Sequence, residues 1–459
     1  MKETKGKIKS SFRDPSGYLF EKNGILYRGI AESYKEHYEY AKKCGFFEEL
    51  IKDGHLISHK EVDSNIADRD VYKVIEPKRI PFISYPYEWC FSELKDAALL
   101  TLKIQKKALQ SGMTLKDASA YNIQFLDGKP ILIDTLSFEK YEEGAPWIGY
   151  RQFCEHFLAP LVLMSYKDVR LNTLMRIFID GIPLKLASEL LPRRTLLKPS
   201  TAFHIHLHAK SQEKFSKKEQ KTTWRISKHK LTALLDSLEK AVQKTKIKKQ
   251  STEWADYYED TNYSSDSFKE KESIISDFIK KTSSKTAWDL GANTGEFSRL
   301  ASEKEIKTVS FDIDPIAVEK NYLTVKRKKE KNLLPLVLDL TNPSPDIGWN
   351  NEERMSFSRR GPVDLVLALA LIHHIAISNN TPLSMVAESL SKLCTHLIIE
   401  FIPKSDSQVK RLLKTREDIF LNYNEKAFEK EFSRYFTISV KKGISGSERS
   451  LYLMIKKKS

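Results

Sequence analysis

Three carboxylates each close an apolar run in the C-terminal half of the chain: Asp289 in "TAWDLG", Asp312 in "TVSFDID" and Asp339 in "LLPLVLDL". Between the first two lies a glycine turn, D-x-G-x-N-x-G, formed by Asp289, Gly291, Asn293 and Gly295. Glycine takes positive φ freely and lets the backbone approach a ligand that a Cβ would obstruct. A dinucleotide fingerprint would read G-x-G-x-x-G and set a pyrophosphate on the next helix. Here Asp289 places an acid beside the turn, which repels phosphate and favours an ammonium. Asp312 follows the glycines by roughly twenty residues, a spacing at which an acid accepts hydrogen bonds from both ribose hydroxyls. Asp339 closes the third run and falls on the adenine side. Together the three acids predict an adenosyl ligand without phosphates and with a cationic amino-acid tail.

A second constellation lies in "GMTLKDASAYNIQFLDGKPILIDTLSFE". Asp117 and Asn122 stand as D-x4-N, and Asp134 ends an apolar strand after a turn at "LDGKP". One Asp orienting an acceptor hydroxyl, with Asn and a second Asp on Mg²⁺, is the division of labour in phosphoryl transfer. The same residues also serve simply to shape a turn.

The elements that must position these groups follow from periodicity. "TAWDLG", "TVSFDID", "LLPLVLDL", "VDLVLALAL" and "THLIIEFI" read as strands buried on both faces. "EFSRLASEK", "PIAVEKNYLTVKRKK" and "PLSMVAESLSKLC" read as the helices between them. Such alternation predicts an α/β fold with a parallel sheet, helices on both faces and right-handed crossovers. Two further helices are expected in "SDSQVKRLLKTREDI" and "NEKAFEKEFSRYF", and "FTISVKKGI" and "RSLYLMIKK" should close the chain as a hairpin. Ligands of open α/β sheets sit outside the carboxyl ends of the strands, beside the first one.

From about residue 286 to its end, the chain resembles the class I S-adenosylmethionine-dependent methyltransferases. "DLGANTGEFS" matches that superfamily's glycine motif, "FDID" its ribose-binding acid and "LDLT" its adenine-side acid. The resemblance implies a seven-stranded, Rossmann-like sheet whose seventh strand inserts antiparallel. It implies that S-adenosylmethionine is held by Asp289, Gly291, Asn293 and Gly295 at the methionine part, Asp312 at the ribose, and Asp339 with Leu340 at the adenine. The string "DLTNPSPDIGWNNEER…GPVDLVLALALIHHIAISNN" further resembles a bacterial group related to nodulation-type methyltransferases.

Methyl transfer needs a placed nucleophile, exclusion of water and in some cases a base. The loop after the fourth strand, "LALALIHHIAISNN", should face the methyl group, with His373 and His374 as available bases. Alternatively, one histidine packs beneath the cofactor and the other hydrogen-bonds a carbonyl. Asn379 and Asn380 bind an acceptor or begin the next helix. Glu400, closing the fifth strand in "IIEFIPKSD", points to the same sheet edge and is a candidate acceptor contact. Upstream, "STEWADYYEDTNYSSDSF" brings together Trp254, Tyr257, Tyr258 and Tyr263, either as a lid in which Tyr258 touches the cofactor or as an aromatic staple on the core.

The N-terminal constellation resembles the catalytic segment of protein kinases and small-molecule phosphotransferases, which implies an α+β kinase-like domain and a vestigial Mg²⁺ site of Asn122 and Asp134 with Asp117. "LKD" replaces His-Arg-Asp and "IDT" replaces Asp-Phe-Gly, a glycine-rich loop is missing, and Lys73 is a poor match for the phosphate-pairing lysine. The expected organisation is a kinase-like accessory domain at 1–210, a basic linker with an amphipathic helix at 211–250, and a methyltransferase domain at 251–459. The helix is marked by Leu231, Leu234, Leu235, Leu238 and Val242, and is expected to bridge the two domains.

A hydrophobic content of 41% builds real cores, and no run of eighteen apolar residues spells a membrane span. The N-terminus lacks an apolar signal segment, and four dispersed cysteines form no CxxC pair, so a cytoplasmic protein without structural zinc or disulfides is expected. A net charge of +15 admits a nucleic-acid partner, but the lysines are spread widely, as solvated faces and a basic linker require. The expected function is methyl transfer from S-adenosylmethionine to an unidentified acceptor, a small molecule, carbohydrate or protein, presented or recognised by the kinase-like N-terminal domain. The alternatives are a bifunctional or regulatory protein whose N-terminal domain binds ATP/Mg²⁺ or a partner protein, and an RNA-binding methyltransferase.

Overall fold

The computed structural model describes residues 8, 11–67, 71–210, 225–247, 265–414 and 417–458. The chain divides into two units, one of residues 1–249 with 346–354 and the other of 250–345 with 355–459.

In the first unit, an Asn-Gly pair with positive φ at Asn23 and Gly24 turns β1 (Gly17–Lys22) into β2 (Ile25–Ile30). This is the dipeptide that a tight hairpin favours, because both central residues adopt left-handed conformations. β3 (His59–Val62) and β4 (Lys73–Pro77) complete an antiparallel sheet in the order β1-β2-β4-β3. Phe20, Tyr27 and Val74 form its buried face. The long helix Phe91–Gln110 is opened by Glu93, whose carboxylate accepts the Cys90 amide at 2.8 Å. It leads to β5 (Met113–Leu115), the hairpin β6 (Ile123–Leu126) and β7 (Lys129–Leu132), and β8 (Phe138–Lys140).

The amphipathic helix expected as a bridge spans Lys228–Lys244 and belongs to this first unit. Its apolar stripe needs an apolar surface, and Leu231, Leu235 and Leu238 are fully buried. Lys106 on Phe91–Gln110 pairs with Asp236 at 2.6 Å and with Glu239, and Lys95 donates to the Thr245 carbonyl at 2.8 Å. Residues 346–354, expected to continue the methyltransferase domain, also group with the first unit. There Glu353 accepts Arg13 at 2.8 Å, and the Arg354 guanidinium stacks 4.3 Å from the Tyr121 ring centre.

The second unit is a seven-stranded sheet. Its strands are β9 (Thr286–Leu290), β10 (Lys307–Asp312), β11 (Leu333–Val337), β12 (Val363–Ala368), β13 (Cys394–Phe401), β14 (Phe436–Gly443) and β15 (Ser450–Lys456). They lie in the order β11-β10-β9-β12-β13-β15-β14. The first five are parallel, and β15 runs antiparallel to both β13 and β14. Each apolar run of the C-terminal half is therefore a strand, and the closing hairpin is present. One face packs Ala287, Leu365, Leu367 and Ile398 against Ile275, Phe278 and Phe297. The other carries an aromatic cluster of Trp288, Phe311 and Phe357, with the Trp288 and Phe357 rings 4.8 Å apart. The chain steps from β9 to β10 on one side and returns to β12 on the other. The strand order therefore reverses at β9, where such sheets form a crevice.

Candidate functional site

The crevice is built around Asp289, the penultimate residue of β9. Its side chain is buried and accepts one hydrogen bond, from the Ser298 hydroxyl at 2.6 Å. Burial pushes its pKa from 3.8 up to about 7; Asp312 adds to the rise, while Ser298 and Lys271 act against it. Asp312 ends β10, where its two oxygens accept the amides of Asn293 at 2.7 Å and Asp314 at 2.9 Å. Burial raises it to about 6 against those backbone bonds. Neither acid makes an ion pair among the described residues, because Lys271, whose charge reaches Asp289, is paired with Glu400 at 2.7 Å. Two neighbouring buried carboxylates with no ion-paired cation among the described residues have the chemistry to accept an ammonium and hydroxyl donors.

The turn between them depends on glycine. Gly291 and Gly295 have φ of +76° and +82°, and Asn293, a residue that tolerates this region, has +51°. A Cβ on Gly295 would lie 2.4 Å from the Asn321 amide nitrogen, and one on Gly291 would meet Leu371 at 3.1 Å. Asn321 is itself fixed by Arg299, at 2.9 Å, and by Ser310, at 3.0 Å. Arg299 also donates to the Thr294 carbonyl at 2.7 Å, which ties the turn to the helix it opens. Asp339, half-buried past the end of β11, accepts the Thr341 amide and hydroxyl at 2.8 and 2.6 Å, and Leu340 is half-buried beside it.

The loop after β12 meets this turn through Leu371. His373 is 1% exposed, and its Nδ1 has no hydrogen-bond partner among the described residues. Burial, with His374, Arg449 and Lys271 nearby, pushes its pKa well below the usual histidine value. An imidazole held neutral by its surroundings is a hydrogen-bonding group and a poor proton acceptor, so the packed role fits His373 and the base role does not. His374 is half-buried, with its ring 4.0 Å from that of His373. Asn379 donates to the His374 carbonyl at 3.1 Å and ends the turn His374–Ser378, and Asn380 is exposed.

Glu400 departs from expectation. It is fully buried, and one carboxylate oxygen accepts both Lys271 at 2.7 Å and the Ala370 amide at 2.8 Å. A carboxylate so enclosed is engaged by its own neighbours and is not presented at the surface of the sheet edge. Tyr258, with Trp254, Tyr257 and Tyr263, lies outside the described residues.

In the first unit the expected Mg²⁺ set takes a different form. Asp134 is ion-paired to Arg28 at 2.8 Å, and the same guanidinium engages Asp14. Asp134 also accepts the Ser137 hydroxyl at 2.5 Å, and Asn122 donates to Ser137 at 3.2 Å. Asp117 accepts Gln152 at 2.8 Å and the Ser119 amide at 3.0 Å, as a turn-shaping aspartate does. No cluster of three His, Cys, Asp or Glu able to hold a metal occurs among the described residues. An internal guanidinium supplies the positive charge to Asp134. The four cysteines are free, and no described helix is long and apolar enough to cross a membrane.

Comparison with known proteins identifies the lineage. Nodulation protein NoeA of Rhizobium meliloti (strain 1021) is 36% identical, with the match covering 97% of this chain and 95% of that protein. The chain belongs to the NoeA family. No profile of a known protein family matches it. Among solved structures, magnesium protoporphyrin IX methyltransferase ChlM from Synechocystis PCC 6803 with bound SAH aligns at 14% identity and a TM-score of 0.30, over 42% of this chain and 84% of that one. N-methyltransferase NodS from Bradyrhizobium japonicum WM9 in complex with S-adenosyl-L-homocysteine aligns at 12% identity and 0.31, over 42% and 88%.

Sequence reasoning missed Ser298, Asn321, Lys271 and Arg449. Lys271 carried a signal: it falls in phase with Phe268, Ile275 and Phe278 on the apolar stripe of the helix Ser265–Thr282. A lysine at a core position needs a buried partner.

Proposed function

We propose that the C-terminal unit of this NoeA-family protein is a methyltransferase that uses S-adenosylmethionine. The observation that carries the reading is the pair of buried carboxylates, Asp289 and Asp312, raised to about 7 and about 6 on either side of a glycine turn at the sheet's reversal point. Among the described residues neither acid has an ion-paired cation, and the positive φ of Gly291, Asn293 and Gly295 lets the backbone turn tightly between them, so the residues fit an adenosyl ligand with an ammonium tail. Asp289, Gly291, Asn293 and Gly295 would hold the methionine part, Asp312 the ribose, and Asp339 with Leu340 the adenine. When bound, the cofactor supplies an electrophilic methyl group on a sulfonium. The chain's own contribution is orientation and water exclusion: Leu371 walls the turn, His373 packs neutral in the same loop, and His374 is the remaining candidate to receive an acceptor proton.

The acceptor is a small molecule, carbohydrate or protein, and the first unit recognises or presents it. The Arg28–Asp134 ion pair supports a binding role for this unit over an ATP/Mg²⁺-dependent one. The test is incubation with methyl-tritiated S-adenosylmethionine and fractionated small molecules, polysaccharide and protein from a rhizobial cell. Label should enter one fraction and be lost with Asp312→Ala. Label that enters none, or that survives Asp312→Ala, overturns the assignment.

A further inference from the structure

The methyltransferase reading assigns no role to a chain of buried charges on the far side of the same loop. Lys271 is 2% exposed and Glu400 0%, and their side chains meet at 2.7 Å. The Arg449 guanidinium lies 3.8 Å from the other Glu400 oxygen and donates to Asp406 at 2.8 Å. Burying two cations and an acid is costly unless their geometry is closely satisfied, and removing one partner leaves an uncompensated charge. Hydrophobic residues would fill the same volume at less cost, so a specific arrangement is being enforced here.

What it enforces can be traced atom by atom. The Glu400 oxygen that receives Lys271 also receives the Ala370 amide at 2.8 Å. Ala370 has φ of +48°, a left-handed conformation that a residue with a Cβ adopts only when its surroundings impose it. The next residue, Leu371, is the one that abuts Gly291. Lys271 also lies 4.7 Å from the ring centre of Phe297, on the helix that the glycine turn opens. The network therefore grips the glycine turn from both sides, through Leu371 and through Phe297.

We propose that Glu400 is a positioning residue, clamped by Lys271 and Arg449, that sets the loop 369–373 against the glycine turn and so fixes the pocket for the methionine end of the ligand. Glu400 touches neither ligand nor acceptor in this assignment; it acts through the Ala370 amide. The inference rests on the methyltransferase reading for the identity of the ligand but not for the mechanics of the loop.

The experiment combines calorimetric titration of the full chain with S-adenosylmethionine and amide hydrogen exchange read peptide by peptide. Glu400→Ala should speed exchange of the 369–374 amides at least tenfold, leave 363–368 protected, and weaken the ligand at least tenfold. Glu400→Gln keeps an acceptor for Ala370 and should bind within about threefold of wild type. The pair Lys271→Met/Glu400→Gln, which removes both charges of that ion pair and leaves Arg449 on Asp406, covers the case in which Glu400→Ala does not fold, and should retain both protection and binding. Unchanged affinity in Glu400→Ala despite a freely exchanging loop would overturn the proposal, as would loss of binding in the double variant with the loop still protected. If wild type itself shows no binding, the methyltransferase reading fails, while the exchange data still decide whether Glu400 holds the loop.

Discussion

Replacing Asp289 with asparagine should make the ligand-free protein more stable and a worse binder. In water the carboxyl titrates at 3.8, and in its buried place it is raised to about 7. Each tenfold change in the proton equilibrium is worth about 1.4 kcal/mol, so holding this side chain ionised at pH 8 costs the native state about 4 kcal/mol. The substituted carboxamide would have nearly the same shape, carry no charge and still accept the Ser298 hydroxyl. The sign follows from linkage: a carboxyl raised in the folded state adds stability at low pH, and loses it as pH climbs through its folded value. The advantage of Asp289→Asn should therefore be largest at pH 8 and shrink by about 3 kcal/mol by pH 5, where the native aspartic acid is mostly protonated. Urea unfolding of the C-terminal transition at both pH values, with calorimetric titration of S-adenosylmethionine at pH 8, measures both effects. Affinity should fall at least tenfold. A variant that is less stable at pH 8, or stabilised equally at both pH values, would refute the view that Asp289 is a strained anion waiting for a cation.

The remaining predictions concern neighbouring features. If Asp289 and Asp312 hold the ligand as carboxylates, as proposed, its affinity should drop about 20-fold from pH 8 to pH 6, as titrations at the two pH values would show. Gly295→Ala drives a methyl into the Asn321 carboxamide at a φ of +82°, and should cost about 1–3 kcal/mol in urea unfolding as well as ligand affinity. In the first unit, burial holds His156 and His204 at about 4, below the ordinary 6.5. They stabilise the fold while neutral, so stability should fall between pH 6.5 and 4 by up to about 3 kcal/mol per histidine, and His204→Gln should remove part of that slope. Arg28→Ala leaves Asp14 and Asp134 without their shared cation and should destabilise the first unit by about 3–5 kcal/mol, whereas wild type should show no Mg²⁺-dependent thermal shift with ATP.

The C-terminal half was legible because its physics is local. Strands buried on both faces must be continuous apolar runs, so each could be read directly, and the acids that end them mark the ligand edge of a parallel sheet. The turn "DLGANTG" was legible for the same reason: positive φ at Gly291 and Gly295 is a backbone demand written in residue type. The surroundings of Glu400 were not legible, because they depend on partners that are distant in sequence, and the choice between a base and a packed histidine at 373 stayed open for the same reason. Glu400 looks like a free acid at a strand end until Lys271 and Arg449 are placed around it, and His373 reads as either a base or a packed side chain until its burial is known. Arg28 neutralises an aspartate 106 positions away, and no spacing rule announces such a pair. The helix Lys228–Lys244 was recognised from its leucines, but an amphipathic stripe states only that a partner exists. Which surface covers it is a tertiary fact.

The most direct test of the central claim is calorimetric titration of the full chain with S-adenosylmethionine at pH 8, wild type beside Asp312→Ala. The account predicts saturable one-to-one binding by wild type and its loss in the variant, since Asp312 fixes the Asn293 amide and is the acceptor proposed for the ribose. No heat from wild type at millimolar ligand, or equal binding by Asp312→Ala, would contradict it.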